Sequence, residues 1–150
     1  MIARVSVQIE MQQSWRYASG AAMERFADGL RNKRIEALRC GGCRRRYLPP
    51  RPFCGNCHLH LSDWVPVADE GVLEAWTVVY LPFLDGRTGT VRNGPYGMGL
   101  IRLDGADTTL NHYLAETDPS RLAVGLRARA VWRDDLRGAI DDILHFEVMQ

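Results

Sequence analysis

At 150 residues, 46% hydrophobic and 25% charged, the chain has the composition of one ordinary globular domain, or of a small domain beside a stapled mini-domain, which excludes a disordered or fibrous protein. No run approaches the roughly 20 apolar residues that cross a bilayer, and the opening "MIARVSVQIEMQQ" lacks the continuous apolar segment of a signal peptide, so a cytoplasmic protein without membrane attachment is expected. The formal net charge of +1 hides a division: residues 1–58 carry 11 Lys and Arg against 4 Asp and Glu, and residues 59–150 carry 8 against 14, so the basic half suits an anionic ligand or partner.

In chain order, "RVSVQIEMQQ" alternates, with Val5, Val7, Ile9 and Met11 on one side, as a strand or extended arm does. "SGAAMERFADGLRNKR" then places Met23, Phe26, Ala27 and Leu30 at the spacings of one apolar helical stripe, with Ser19 predicted to cap the start and Asn32 to mark the end. Such a stripe predicts core packing, with docking on a partner as the alternative. "CGGCRRRYLPPRPFCGNC", residues 40–57, holds all four cysteines. Beyond Trp64 the signals are β: "GVLEAWTVVYLP", "GPYGMGLIRLDG", "TTLNHYLAE", "GLRARAVWRD" and "DILHFEVM" predict five short strands. In "LRARAVW", Leu126, Ala128, Ala130 and Trp132 alternate with Arg127, Arg129 and Val131, so one side faces a core. Five such strands suit a small closed barrel of the OB type, and "FLDGRTGTVRNG" reads as a long polar loop between the first two.

The cysteines follow C-x2-C-x10-C-x2-C. A structural zinc site wants four thiolates at tetrahedral corners, which two short knuckles deliver, so Cys40, Cys43, Cys54 and Cys57 are the expected ligands, with iron in the same geometry as the competing metal. Gly41, Gly42 and Gly55 are expected to let the backbone curl beneath the sulfurs, while Pro49 and Pro50 stiffen the turn between knuckles. A thioredoxin-type dithiol needs a βαβ context that is missing here, and His58 stands too close behind Cys57 to serve as a ligand. Four protein ligands leave no open position, so the metal is structural and no cysteine remains as a nucleophile. Neither G-x-S-x-G, H-E-x-x-H, a Walker loop nor a G-x-G-x-x-G fingerprint occurs, and His112 and His145 lie in strand-like segments without a recognisable catalytic partner.

The helix running into Cys40, the PP-R-x-x-C junction from Pro49 to Cys54, the G-x-x-x-x-x-T from Gly71 to Thr77, and Pro95-Tyr96 together resemble the family catalogued as domain of unknown function 35, over roughly residues 15 to 148. The resemblance implies a mainly β fold: an N-terminal helical arm, a rubredoxin-like zinc ribbon and a C-terminal five-stranded OB-fold barrel. The expected divisions are 1–18 for the arm, 19–34 for the helix, 35–64 for the ribbon and 65–150 for the barrel. It implies one structural zinc per chain and the role of an accessory subunit, not an enzyme on its own, bound to a thiolase-fold catalytic subunit in a hetero-oligomer that handles acyl-CoA. One position departs: where family ribbons often have Gly after the second cysteine, this chain has Arg44.

If a coenzyme A thioester is shared with the partner, its anionic nucleotide is matched in charge by Arg44, Arg45, Arg46, Arg51 and Arg92, whose other reading is a solvated turn. Tyr80, Phe83 and Tyr96, at the ends of the first long barrel loop, are candidates to line a pantetheine path, with barrel packing as the alternative. The rival function is a single-stranded nucleic-acid-binding module, since ribbons and OB-folds both serve that purpose; the acidic balance of residues 59–150 disfavours it.

Overall fold

Helix α1 spans Gly20–Leu30 and buries Phe26 and Leu30 on the predicted stripe, with Met23 packed beside them. The structure, a computed structural model, describes residues 18–84 and 89–149; the expected arm with Val5, Val7, Ile9 and Met11 lies outside the described residues apart from Ala18. Both helix ends differ from expectation. Ser19 holds the cap position with helical backbone angles and makes no side-chain cap bond, because a capping hydroxyl reaches the free amides from an extended backbone. At the other end Lys33, not Asn32, is left-handed, at φ 52°. The helical turn runs on through Asn32, and the amides of Asn32, Lys33 and Arg34 return to the carbonyls of Gly29 and Leu30, so the reversal falls one residue later.

Three strands follow as an antiparallel sheet: β1 (Ile35–Arg39), β2 (Arg46–Tyr47) and β3 (Asp63–Val67), in the order β2-β1-β3. β3 straddles the expected ribbon boundary at residue 64, and an Arg39–Asp63 ion pair of 2.7 Å clamps its first residue to β1. The chain then enters β4 (Glu70–Val79), a small hairpin of β5 (Phe83–Leu84) and β6 (Val91–Arg92), β7 (Tyr96–Leu103), β8 (Leu110–Leu114), β9 (Arg127–Trp132) and β10 (Ile143–Met149). The loop expected between the first two barrel strands therefore carries structure of its own.

β4, β7, β8, β9 and β10, one from each predicted segment, close into a barrel in the order β10-β8-β7-β4-β9. The β8–β10 pair is parallel and the others antiparallel, the connectivity of an OB-fold. A bulge in β4 between Leu73 and Ala75 bends the strand so that it pairs with β9 by its first residues and with β7 along its length. Gly71 makes that crossing possible, since a Cβ there would lie 2.2 Å from the Arg102 carbonyl oxygen. On β9 the alternation is as read: Ala128 and Ala130 are buried and Arg129 is exposed.

The barrel interior of Leu73, Ile101, Leu103 and Phe146 is continuous with Phe26 and Leu30 of α1 and with Ile35, Ala37 and Leu48 of the ribbon. Helix and ribbon thus share the barrel's core. Arg31 at the end of α1 donates from Nε to the Arg137 carbonyl at 2.9 Å. The same loop is fixed from within by buried Asp142, whose carboxylate accepts the amides of Arg137, Gly138 and Ala139. Among the described residues no helix is long and apolar enough to cross a membrane.

Candidate metal centre

The two knuckles are built alike. In the first, the Cys40 amide donates to the Arg45 carbonyl at 2.9 Å and the Arg44 amide to the Cys40 carbonyl at 2.9 Å. In the second, the Cys54 amide donates to Leu59 at 2.9 Å and the His58 amide to Cys54 at 3.0 Å. The residue after each second cysteine is left-handed: Arg44 at φ 61° and His58 at φ 56°. This corrects the expectation that Gly41, Gly42 and Gly55 supply the curl, for none of them is left-handed. The reversal comes one step later in each knuckle, and two non-glycine residues adopt it at the cost of strain that the surrounding bonds hold in place. Gly42 packs tightly instead: a Cβ there would sit 3.0 Å from Leu59 Cδ1 and 3.4 Å from Cys57 Sγ, so the Leu59 side chain would have to give by a few tenths of an ångström.

The knuckles bring the Sγ atoms of Cys40, Cys43, Cys54 and Cys57 within 4.8 Å of one another, with Cys43 and Cys54 at 3.6 Å. Four thiolates about 2.3 Å from a tetrahedral zinc are about 3.8 Å apart, so the cluster fits one metal ion of that kind. Cys40 and Cys54 are buried and Cys43 is exposed.

Tyr47, a residue that no sequence motif singles out, lies against the cluster. Its hydroxyl accepts the Gly55 amide at 3.2 Å and donates to Cys54 Sγ at 3.2 Å; that sulfur also accepts the amides of Asn56 and Cys57. These bonds, Tyr47's foremost, hold the Cys54 thiol down to about 5. Hydrogen bonding to Cys43, burial and the other sulfurs push Cys57 up to about 12. The Cys57 thiol, pushed up in this way, keeps its proton at neutral pH in the absence of a cation. A divalent cation reverses that preference, and protons leave as the metal enters.

Of the arginines proposed to meet an anion, Arg46 already has a partner: its guanidinium pairs with both carboxylate oxygens of Asp107, at 3.1 and 3.2 Å, and its amide donates to the same group. The pairing holds Asp107 below the usual carboxylate range. Beside it, Leu48 and Thr108 exchange two hydrogen bonds of 2.7 Å, so β2 is stitched to the β7–β8 loop. Arg45 and Arg51 lie over the Tyr47 ring, at 5.9 and 4.8 Å from its centroid, and Arg44 is exposed. A basin of about 470 Å³ opens beside the sulfurs, lined by Cys43, Arg44, Arg45, Asn56 and Asp107.

The remaining predicted residues form a second group on the barrel. Tyr80 and Phe83 are exposed at the β5–β6 hairpin, Arg92 stacks over Tyr113 at 4.2 Å, and Tyr96 meets the same ring edge-on at 6.0 Å. His112 is buried in the barrel, where Nε2 lies 3.2 Å from the Ile140 carbonyl and burial lowers its basicity; His145 lies 3.8 Å from Glu147.

Two family models match in tandem, in the order that the fold displays. The ChsH2 rubredoxin-like zinc ribbon domain matches residues 27–59, and the ChsH2 C-terminal OB-fold domain matches residues 64–133. A crystal structure of a DUF35-family protein of unknown function from Sulfolobus solfataricus is 25% identical over 86% of this chain and 84% of that one, with a TM-score of 0.60. The chain belongs to the DUF35 family. The Ltp2-ChsH2(DUF35) aldolase, 22% identical over 89% of this chain and 98% of that one, shares the fold with a TM-score of 0.63. No curated protein sequence matches. In this DUF35 chain the rubredoxin-like ribbon holds four cysteines positioned for one metal ion, and the five-stranded OB barrel packs behind it.

Proposed function

We propose that this DUF35 chain is a non-catalytic accessory subunit of a thiolase-type complex, a thiolase or an aldolase, that helps its partner assemble and bind an acyl-CoA thioester. The observation that carries this reading is the convergence of all four cysteines, their sulfurs within 4.8 Å of one another. Thiolase chemistry needs an activated cysteine, and with every sulfur committed to a structural zinc the nucleophile belongs to another chain. His112, neutral and packed within the barrel, supports the same division of labour. The Ltp2-ChsH2(DUF35) aldolase supports a catalytic partner of that kind.

For the shared ligand, the basin beside the sulfurs is the place where the nucleotide phosphates fit. Arg44 and Arg45 line it, and Asp107 on its wall is already neutralised by Arg46. The test is a complex of this chain with a thiolase-fold protein of its source organism, coexpressed and purified. The isolated, metal-loaded chain is expected to show no thiolase, aldolase or hydratase turnover. Arg44→Glu with Arg45→Glu is expected to raise the complex's KM for acyl-CoA about tenfold with kcat little changed, the pattern of lost uniform binding. Turnover by the isolated chain that vanishes in His112→Ala would overturn the reading. So would sub-micromolar binding of single-stranded RNA at physiological salt by a chain that recruits no such protein.

A further inference from the structure

The outer wall of the barrel is divided by charge. At one end, where β4 begins, β7 ends and β9 runs beside them, the charged side chains are paired: Arg129 with Glu70, Arg127 with Asp104 and Glu70, and Arg102 with Glu74. At the other end the character inverts. The β5–β6 hairpin and its approaches expose Tyr80 at 65%, Leu81 at 75%, Phe83 at 49%, Leu84 at 61% and Val91 at 57%. Five residues open to this degree present on the order of 600 Å² of largely apolar surface, at the upper end of the roughly 300–600 Å² of the largest patch on a soluble monomer, a patch that is often functional.

The patch continues onto the barrel. Register places Thr77 beside Met98 and Tyr113, and Ala75 beside Leu100 and Asn111, on one outward face. Between them lies a shallow depression of about 380 Å³. The surface therefore offers both a projecting apolar hairpin and a hollow able to receive a side chain. Arg92, the charged residue of β6, has its guanidinium 4.2 Å above the Tyr113 ring. Among the described residues, no basic track follows this face, as a phosphate backbone would require, and no row of charges awaits an acidic partner.

We propose that Tyr80, Leu81 and the paired strands β5 and β6, with the adjoining β4–β7–β8 face, are the surface on which the catalytic subunit docks, through an apolar patch of its own. The occupant rests on the accessory-subunit reading above; the surface rests on the exposures. About 600 Å² on one side approaches the roughly 800 Å² that each partner buries in a stable complex, more than a small ligand covers and close to what a folded subunit needs. Leu81, the most exposed of the five, and Phe83, the aromatic of β5, act as its anchors.

The experiment pairs the full chain with each thiolase-fold protein of its source organism and measures Kd by calorimetry for wild type, Leu81→Asp with Phe83→Asp, and Val124→Asp with Leu144→Asp. The last pair changes apolar residues exposed at 68% and 45% on other elements. Circular dichroism and zinc content establish that the variants are folded. Wild type is expected to bind one of these proteins. The hairpin variant is expected to weaken binding at least about 100-fold, and the control pair less than threefold. Equal binding by the hairpin variant overturns the docking surface while leaving the accessory role standing. If no thiolase-fold protein binds wild type, the accessory reading itself fails and takes the occupant with it. A concentration-dependent homodimer that the hairpin variant abolishes, with partner affinity unchanged, assigns the patch to a second copy and overturns the proposal.

Discussion

The ribbon and the barrel solve the same problem by different means. The barrel encloses Leu73, Ile101, Leu103, Leu110, Ile143 and Phe146, and it borrows Phe26 and Leu30 from the helix, so burial of apolar surface stabilises it. The ribbon's own core is Leu38, Tyr47 and Leu61 around two buried cysteines, too little to offset the entropy of ordering its two knuckles. What it lacks in core it makes up with a metal site at one side and bonds to the barrel at the other, through Arg46–Asp107 and Leu48–Thr108. The contrast teaches that the cysteines are a rivet. They hold in shape the element that presents Arg44 and Arg45, while the barrel stands on its hydrophobic interior.

The largest effect that separates the two regions is loss of the metal. Cys54→Ser, or a strong chelator, is expected to cost the ribbon several kcal/mol, because metal binding in so small a unit is folding free energy. Hydrogen exchange is expected to speed up across residues 40–62 and to remain slow in β7 and β10. Loss of protection in both regions together would break the comparison.

A smaller effect sits at the seam. Asp107→Asn is expected to destabilise the ribbon by about 1 kcal/mol at neutral pH, the range of a partly exposed, bidentate ion pair. The pH dependence has a definite sign. The folded Asp107 carboxyl is held below its unfolded value, so its contribution is fully present above the ordinary carboxylate range and is lost as pH falls through the folded value. Melting curves of wild type and variant should therefore differ at pH 7 and converge once the pH has fallen through the lowered, folded value of Asp107. A gap that persists in acid would mean that Asp107 acts through packing and not through charge.

The smallest effect reads the strain in one knuckle. Arg44→Gly removes a side chain from a left-handed residue at φ 61° and is expected to raise ribbon stability by up to about 1 kcal/mol, seen as slower zinc release to a chelator. Faster release would show that the guanidinium contributes more than the strain costs.

These residues also mark what the sequence can show. The five strands, the helical stripe and the clustering of the four cysteines were legible because each is a local pattern: alternation, a three-and-four spacing, a repeated C-x2-C. Arg46 read as a free cation because Asp107, which neutralises it, stands 61 residues away. Tyr47's bond to a ligand sulfur depends on how β2 lies against the second knuckle, which spacing alone does not reveal. The left-handed turns fell on Lys33, Arg44 and His58 and not on the neighbouring Asn or Gly, because the bonds closing each turn outweigh the residue's own preference. The β5–β6 hairpin was hidden in a polar-looking loop, since its apolar residues are few and flank glycines.

The claim that the cysteines are a rivet is tested most directly by counting metal and thiols in one sample of the full chain, purified under reducing conditions without added metal. One equivalent of zinc per chain, no thiol reactive toward a disulfide reagent in the native protein, and four reactive thiols after denaturation with chelator is the result predicted by four sulfurs within 4.8 Å closing on a single ion. Less than half an equivalent of metal, with one or more thiols reacting readily in the folded chain, would contradict it and return a cysteine to the pool of possible nucleophiles.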